Sequence, residues 1–105
     1  GAFTLTSGVG SASAKTITLT FAKAGGGSSA VANASALNVF VILDSSHAIL
    51  TPVSFTPGAA SATPTLVVAL SSLTAAAHTV IVTTALKDSQ GVSCVAKSIA
   101  VTPAA

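Results

Sequence analysis

Apolar and polar residues alternate with a period of two along much of the chain. In Lys15–Phe21 the apolar residues Ile, Leu and Phe take one face, and three threonines take the other. The stretch Thr63–Gly91 contains two further runs of this kind, around Leu66–Leu70 and Val80–Val82. A period of two predicts β-strands with one buried face. The link between the two runs has Leu73 as its single large apolar residue, which we expect to plug the end of a core.

The stretch Leu37–Leu43 differs because it is apolar on both faces. Leu37, Val39, Val41 and Leu43 alternate with Phe40 and Ile42. A strand that is apolar on both faces is normally covered on both faces. Either a loop of the same chain folds over the second face, or another copy of the protein packs against it.

The remaining segments supply shorter strands and loops. Phe3–Thr6 predicts a first strand, Ser7–Ala14 a flexible connection, and Val92–Val101 a last strand. A strand around Ala48–Phe55 is interrupted by Pro52, which favours a sheet edge or a bulge. No internal repeat or linker is visible, so residues 1–105 predict one all-β sandwich domain of about seven to eight short strands.

Charge is scarce. Among 105 residues only 6% are charged, and the net charge is +2, whereas a typical soluble domain has about 25% charged residues. The lysines are dispersed and arginine is absent, which argues against nucleic acid as a partner. No run reaches the roughly 20 apolar residues of a membrane-spanning helix. The predicted surface of Ser, Thr, Ala and Gly has little charge to oppose self-association, so we expect glycans or other subunits to cover it.

Candidate chemistry is sparse as well. The titratable groups that could serve catalysis are His47, His78, Asp44, Asp88 and Cys94. They form no catalytic motif and no metal-ligand spacing, so the sequence predicts a protein that is not an enzyme and has no cofactor and no metal. Cys94 is alone, so it forms no intramolecular disulfide. It fits a small buried residue of the last strand, and the alternatives are an intermolecular bridge or a reactive thiol.

Two further motifs predict a turn and a glycosylation site. In Lys87–Gly91 (KDSQG) we expect the Asp88 carboxylate to accept backbone amides two residues on, while Gly91 supplies a positive φ. An intramolecular isopeptide bond from Lys15 or Lys23 to Asn33 or Asn38 is conceivable, but it also needs a buried acid, and the sequence makes none evident. Asn33-Ala34-Ser35 is an N-glycosylation sequon, which makes Asn33 the predicted glycosylation site.

Three stretches together resemble bacterial Ig-like domains of the surface-layer type. Thr16–Lys23 resembles the opening "I-x-L-x-F-S-K/E" strand, Leu70–Val82 the "L-x-x-L-x-x-G-T-x-Y-T-V-x-V" strand pair, and Lys87–Gly91 the closing "K-D-x-x-G-N" turn. The chain departs from the pattern at His78, where the family has Tyr or Thr, and at Val92, where it has Asn. The resemblance implies an Ig-like Greek-key sandwich, an extracellular or cell-surface location, and structural or adhesive roles without common catalytic residues.

The leading hypothesis is therefore an extracellular structural subunit that self-assembles into a filament or surface layer. We expect the subunit interface at Phe3, Leu5, Phe40 and Ile42, with residues 1–6 either the domain's own first strand or a strand exchanged with a neighbour. The alternative is a single Ig-like spacer or ligand-binding module of a larger surface protein or adhesin. An Ig-like domain of a virus particle is a third hypothesis, by analogy alone.

Overall fold

The computed structural model describes residues 2–25, 27–32 and 40–105. Within these ranges the secondary structure consists of eight β-strands and no helix. The strands are β1 (Phe3–Ser11), β2 (Thr16–Lys23), β3 (Phe40–Leu43), β4 (Ile49–Leu50), β5 (Pro52–Pro57), β6 (Thr65–Leu70), β7 (His78–Val82) and β8 (Lys97–Val101). No helix of the described ranges is long and apolar enough to span a bilayer.

The strands form two antiparallel sheets of four strands each. The order is β1-β2-β6-β5 in the first sheet and β4-β3-β7-β8 in the second. Apolar side chains from both sheets meet in one buried cluster, so the molecule is an all-β sandwich. The cluster consists of Phe3, Leu5, Ile17, Leu19, Phe21, Val31, Ile42, Leu66, Val68, Leu70, Leu73, Val80, Val82, Leu86, Cys94 and Val101.

The central strands follow the predicted alternation. In β2 the apolar residues Ile17, Leu19 and Phe21 are fully buried, while the intervening threonines are half-buried on the outer face. β6 and β7 repeat this pattern in register with their neighbours. Threonine suits the outer face because its β-branched side chain fits the pleat and its hydroxyl stays in contact with water. Leu73 is buried between β6 and β7, as predicted.

The first strand is longer than predicted. β1 continues to Ser11, so the expectation of a flexible connection from Ser7 is wrong for its first half. The inward positions after the bulge between Leu5 and Ser7 are glycines. A Cβ atom at Gly8 would lie 2.8 Å from Val101 Cγ2, and one at Gly10 would lie 2.9 Å from Pro103 Cβ. Glycine is therefore required by a close approach of chain segments, which the residue pattern does not reveal.

β1 also contacts the segments around β8, which closes one side of the sandwich. Phe3 forms a parallel bridge with Cys94, and Ser11 forms one with Ala104. The amide of Ala104 donates to Gly10 O at 2.9 Å, and the Lys97 ammonium donates to Leu5 O at 3.1 Å. The predicted last strand is shorter than expected, since regular pairing with β7 begins only at Lys97.

Pro52 marks the point where the chain changes sheets. β4 pairs with β3 at the edge of the second sheet, and β5 pairs with β6 at the edge of the first. A register shift lies between Pro52 and Ser54. The prediction of an edge or bulge at this proline is confirmed, because an edge strand tolerates a residue that has no amide hydrogen to donate.

Candidate functional site

The outer surface of the first sheet is a neutral face rich in threonine. Thr18 of β2 pairs with Val67 of β6 and Val9 of β1, and all three side chains point away from the core. Residues directly opposite each other on neighbouring strands share one face of a sheet. We call this surface the threonine face; its residues on β2 and β6 are Thr16, Thr18, Thr20, Thr65, Val67 and Ala69.

The outer surface of the second sheet is aliphatic instead. Val41 pairs with Ile81, and Leu43 pairs with Ile49. Ile49 is 62% exposed, and the other three are half-buried. We call these four residues the aliphatic face. Thr79 points outward beside Leu43, and none of these residues is charged.

The structure places the predicted interface residue Ile42 on the other side of β3. Ile42 is fully buried and pairs with Val80, which also points into the core. The apolar residues that β3 presents outward are Val41 and Leu43. Phe40, the other predicted interface residue of this strand, has a side chain that is not among those the structure describes. Because both sides of this strand are apolar, its sequence could not show which side meets the second layer.

The predicted interface residues of the first strand lie in the core of their own chain. Phe3 and Leu5 are fully buried. The Phe3 ring stacks on that of Phe21 with centroids 4.9 Å apart and an interplanar angle of 22°. An exchanged first strand would put these side chains into a neighbour's core, and this stays a prediction. Asn33 lies outside the described residues, so its glycosylation also stays a prediction.

A buried ion pair lies between the end of β2 and the turn after β7. The Lys23 ammonium donates to Asp88 Oδ2 at 2.6 Å, and the two side chains are 3% and 0% exposed. Asp88 Oδ1 accepts the amides of Gln90 and Val92, and Gly91 has a φ of 80°. The predicted turn is confirmed. The expectation that no acid is buried is wrong, because a turn motif does not reveal which core the turn packs against.

The environment of Asp88 favours its charged form. Burial alone would raise the pKa of this carboxyl group, but the hydrogen bond and charge of Lys23, with the amides of Val92 and Gln90, lower the pKa below its ordinary value of 3.8. A carboxylate whose pKa is lowered on folding stabilises the folded state above its ordinary pKa. That contribution is lost as the pH falls through the lower pKa of the folded state.

We therefore predict that acid lowers the free energy of unfolding by protonating Asp88. The free energy of unfolding in urea should be compared between the wild type and Asp88→Asn from neutral pH to below pH 3.8, the ordinary pKa. The advantage of the wild type is expected to be constant in the neutral range and to shrink below that pH, because only the wild type has a carboxylate to protonate. An advantage that persists unchanged in strong acid would contradict the prediction.

Cys94 shows no sign of reactivity. The thiol is 1% exposed, and its Sγ donates to Val95 O at 3.5 Å. Burial raises the pKa of the thiol, which a backbone hydrogen bond near Leu5 only partly offsets. A thiol of this kind is mostly protonated at neutral pH and is a weak nucleophile. The expectation of a small buried residue is confirmed.

A small cleft opens at one end of the sandwich. It has a volume of about 130 Å³ and lies where the turn after β3 meets the link between β6 and β7. Its lining is mostly polar and consists of Asp44, Ser45, Leu50, Ser72, Leu73, Thr74 and His78. No sequence motif links Asp44 and His78, which are 34 positions apart. His47, by contrast, is exposed in the turn with a φ of 63° and does not line the cleft.

We compared the chain with protein-family models, characterised proteins and solved structures. It matches none of them. The resemblance to surface-layer Ig-like domains therefore stays a prediction. Among the described residues, no three His, Cys, Asp or Glu side chains converge as metal ligands.

Proposed function

We propose that this protein is a non-enzymatic, extracellular structural subunit that self-assembles through its aliphatic face. The observation that supports the proposal is the uncharged, outward-facing patch of Val41, Leu43, Ile49 and Ile81 on the second sheet, of which Ile49 is 62% exposed and the others are half-buried. Contiguous apolar patches on soluble domains commonly mark interaction surfaces. A filament or surface layer needs at least one further contact in addition to the aliphatic face.

We further propose that the sandwich is Ig-like. If β1 to β8 are equated with strands A, B, C, C′, D, E, F and G, the first sheet has the order ABED and the second has C′CFG. Immunoglobulin-type domains place ABED in one sheet and CFG in the other. This order supports the resemblance in strand patterns, and that resemblance is the basis for proposing an extracellular location.

Electrostatics favour a second copy as the occupant of the aliphatic face. The exposed lysines Lys15, Lys87 and Lys97 lie in the turn before β2, in the turn after β7 and at the start of β8. Both outer faces consequently lack charge, and two copies can approach face to face without desolvating an ion. Burial of the four aliphatic side chains then supplies the favourable free energy, at roughly 25 cal/mol per Å².

The test is a charge placed on the aliphatic face. We predict that Ile81→Lys abolishes concentration-dependent assembly, because association would bury an unpaired ammonium group. Thr18→Lys is the matched control: it adds the same charge at a half-buried, outward position of an interior strand in the other sheet. Light scattering coupled to size exclusion, with electron microscopy of concentrated samples, measures the assembly state.

A wild-type protein that remains monomeric at every concentration would overturn self-assembly. If Thr18→Lys disrupts assembly and Ile81→Lys does not, the subunit interface lies on the threonine face instead.

The second candidate function is an Ig-like spacer or ligand-binding module, and the polar cleft supports it. In that case the aliphatic face would pack against a neighbouring domain of a longer protein, which the sequence of the full gene would reveal as tandem domains or an anchor.

A further inference from the structure

We propose that β1 (Phe3–Ser11) is exchanged between two copies of the chain, so that the first strand of each copy completes the sandwich of the other. Exchange rests on the proposed self-assembly and supplies the further contact that a filament or surface layer needs beside the aliphatic face. Two features of the structure support it: the place of β1 between the two sheets, and the short turn that connects β1 to β2.

β1 occupies a groove that needs a β-strand. On one side it pairs with β2 along its length. On the other side the amide of Val95 donates to Phe3 O at 3.0 Å. Farther along the strand, the amide of Ala104 donates to Gly10 O at 2.9 Å. Without β1 these backbone groups would lose their partners on both sides, so the groove has to be filled by a strand.

The groove also specifies which strand can fill it. Near its start it encloses the fully buried Phe3, whose ring stacks on that of Phe21. At Gly8 and Gly10 it leaves no room for a Cβ atom, as described above. An occupant therefore needs large apolar residues first and then two glycines at alternate positions. β1 of a second copy has this pattern, and it restores every contact that the chain's own β1 makes.

The connection between β1 and β2 favours exchange. It consists of residues 12–15, three of which are exposed. Lys15 has a φ of 58°, in the left-handed region where a residue with a side chain is strained. Short connections under strain promote exchange, because an open turn relaxes the backbone while the same strand contacts form between copies.

Exchange and the aliphatic face together would build an extended assembly. Reciprocal exchange of β1 joins two copies in a two-fold dimer. The aliphatic face lies on the second sheet, outside the exchanged contacts. Pairing of aliphatic faces can then link one exchanged dimer to the next, since each copy takes part in both contacts.

The experiment links β1 to the end of the chain by a disulfide. Ser11 and Ala104 form a parallel bridge at half-buried and exposed positions. Neighbouring strands lie about 4.8 Å apart, a separation that a disulfide spans. The variant carries Ser11→Cys and Ala104→Cys, with Cys94→Ala to remove the native thiol. It is refolded from urea at increasing protein concentrations, oxidised, and analysed by non-reducing electrophoresis. We expect covalent dimers whose share rises with concentration.

The strain at Lys15 is tested in the same cysteine variant. Lys15→Gly should lower the ratio of covalent dimer to monomer by about fivefold or more, because glycine adopts a positive φ without strain and so favours the closed turn. Lys15→Ala is the matched control. It removes the same charge but keeps a Cβ atom, so it should leave the ratio unchanged.

Covalent monomers alone, at every concentration, would overturn exchange. Equal dimer yields from chains with only one of the two cysteine substitutions would overturn it too, because bridges between copies would then form without exchange. A protein that assembles but gives only covalent monomers retains the aliphatic face and rejects exchange. If Ile81→Lys leaves assembly intact, the aliphatic face is rejected, and the disulfide result still decides exchange.

Discussion

Replacing Asp88 with alanine should lower the free energy of unfolding by about 3–5 kcal/mol, because it leaves the buried Lys23 ammonium group without a partner. The Lys23 and Asp88 side chains are 3% and 0% exposed, so the ammonium group left without its partner is shielded from bulk water. The amides of Gln90 and Val92 lose their acceptor at the same time. Urea unfolding at neutral pH measures the loss.

Asp44 provides a matched control for this variant. Its Oδ1 accepts amides two and four residues on, as Asp88 Oδ1 does, but Asp44 is only half-buried, and the ion pair found among the described residues joins Lys23 to Asp88. Asp44→Ala therefore removes the same turn bonds and should cost about 1–2 kcal/mol. Equal losses in the two variants would show that the ion pair contributes nothing beyond the turn. Adding Lys23→Met to Asp88→Ala should restore part of the stability, because no buried charge is then left unpaired.

Phe21→Ala should also cost about 3–5 kcal/mol. The ring is fully buried and stacked on Phe3, and it lies on β2 in the interior of the first sheet. Its removal leaves a cavity between the two layers and takes away the partner that holds Phe3. Denaturant unfolding monitored by circular dichroism measures the change.

Val53→Ala is the control for Phe21→Ala, because Val53 is 67% exposed in the same sheet. This change should stay within about 0.5 kcal/mol of the wild type. A loss below about 2 kcal/mol for Phe21→Ala would mean that the core closes over the missing ring, and that the N-terminal strand is packed less tightly than the structure shows.

The sequence predicts the parts of the fold in which one face of a strand is apolar and the other polar. β2 meets that condition, and its period of two specifies both strand and buried face. In β6 and β7 the same period specifies the strand, although Val67 and Ile81 make the outer face partly apolar. The second half of β1 was missed because its inward residues are Gly8 and Gly10, which lack the apolar side chains that mark a buried face. Glycine is needed at these two positions because Val101 and Pro103, near the other end of the chain, leave no room for a Cβ atom.

The candidate sites are harder to predict from the sequence than the strands are, for a different reason. Because β3 is apolar on both sides, its sequence does not show which side packs against the other sheet and which side faces outward. The Lys23–Asp88 pair joins residues 65 positions apart, and the cleft joins the ends of two different connections. Such contacts arise from the packing of layers, and a local pattern of residues does not encode them. A lysine at an inward position of β2, in phase with Phe21, was the one available signal for a buried cation.

The parallel pairing of β1 with the segments around β8 has a mechanical consequence. Phe3 O accepts the amide of Val95, and Ala104 bonds to Gly10 and Ala12 at the other end of β1. Tension applied between the first strand and the last would pull these parallel segments along their own length in opposite directions. The bonds would then be loaded together in shear instead of opening one after another. A domain built in this way resists stretching along the line that joins its two ends, which is the direction of load for a subunit or module placed in series with others.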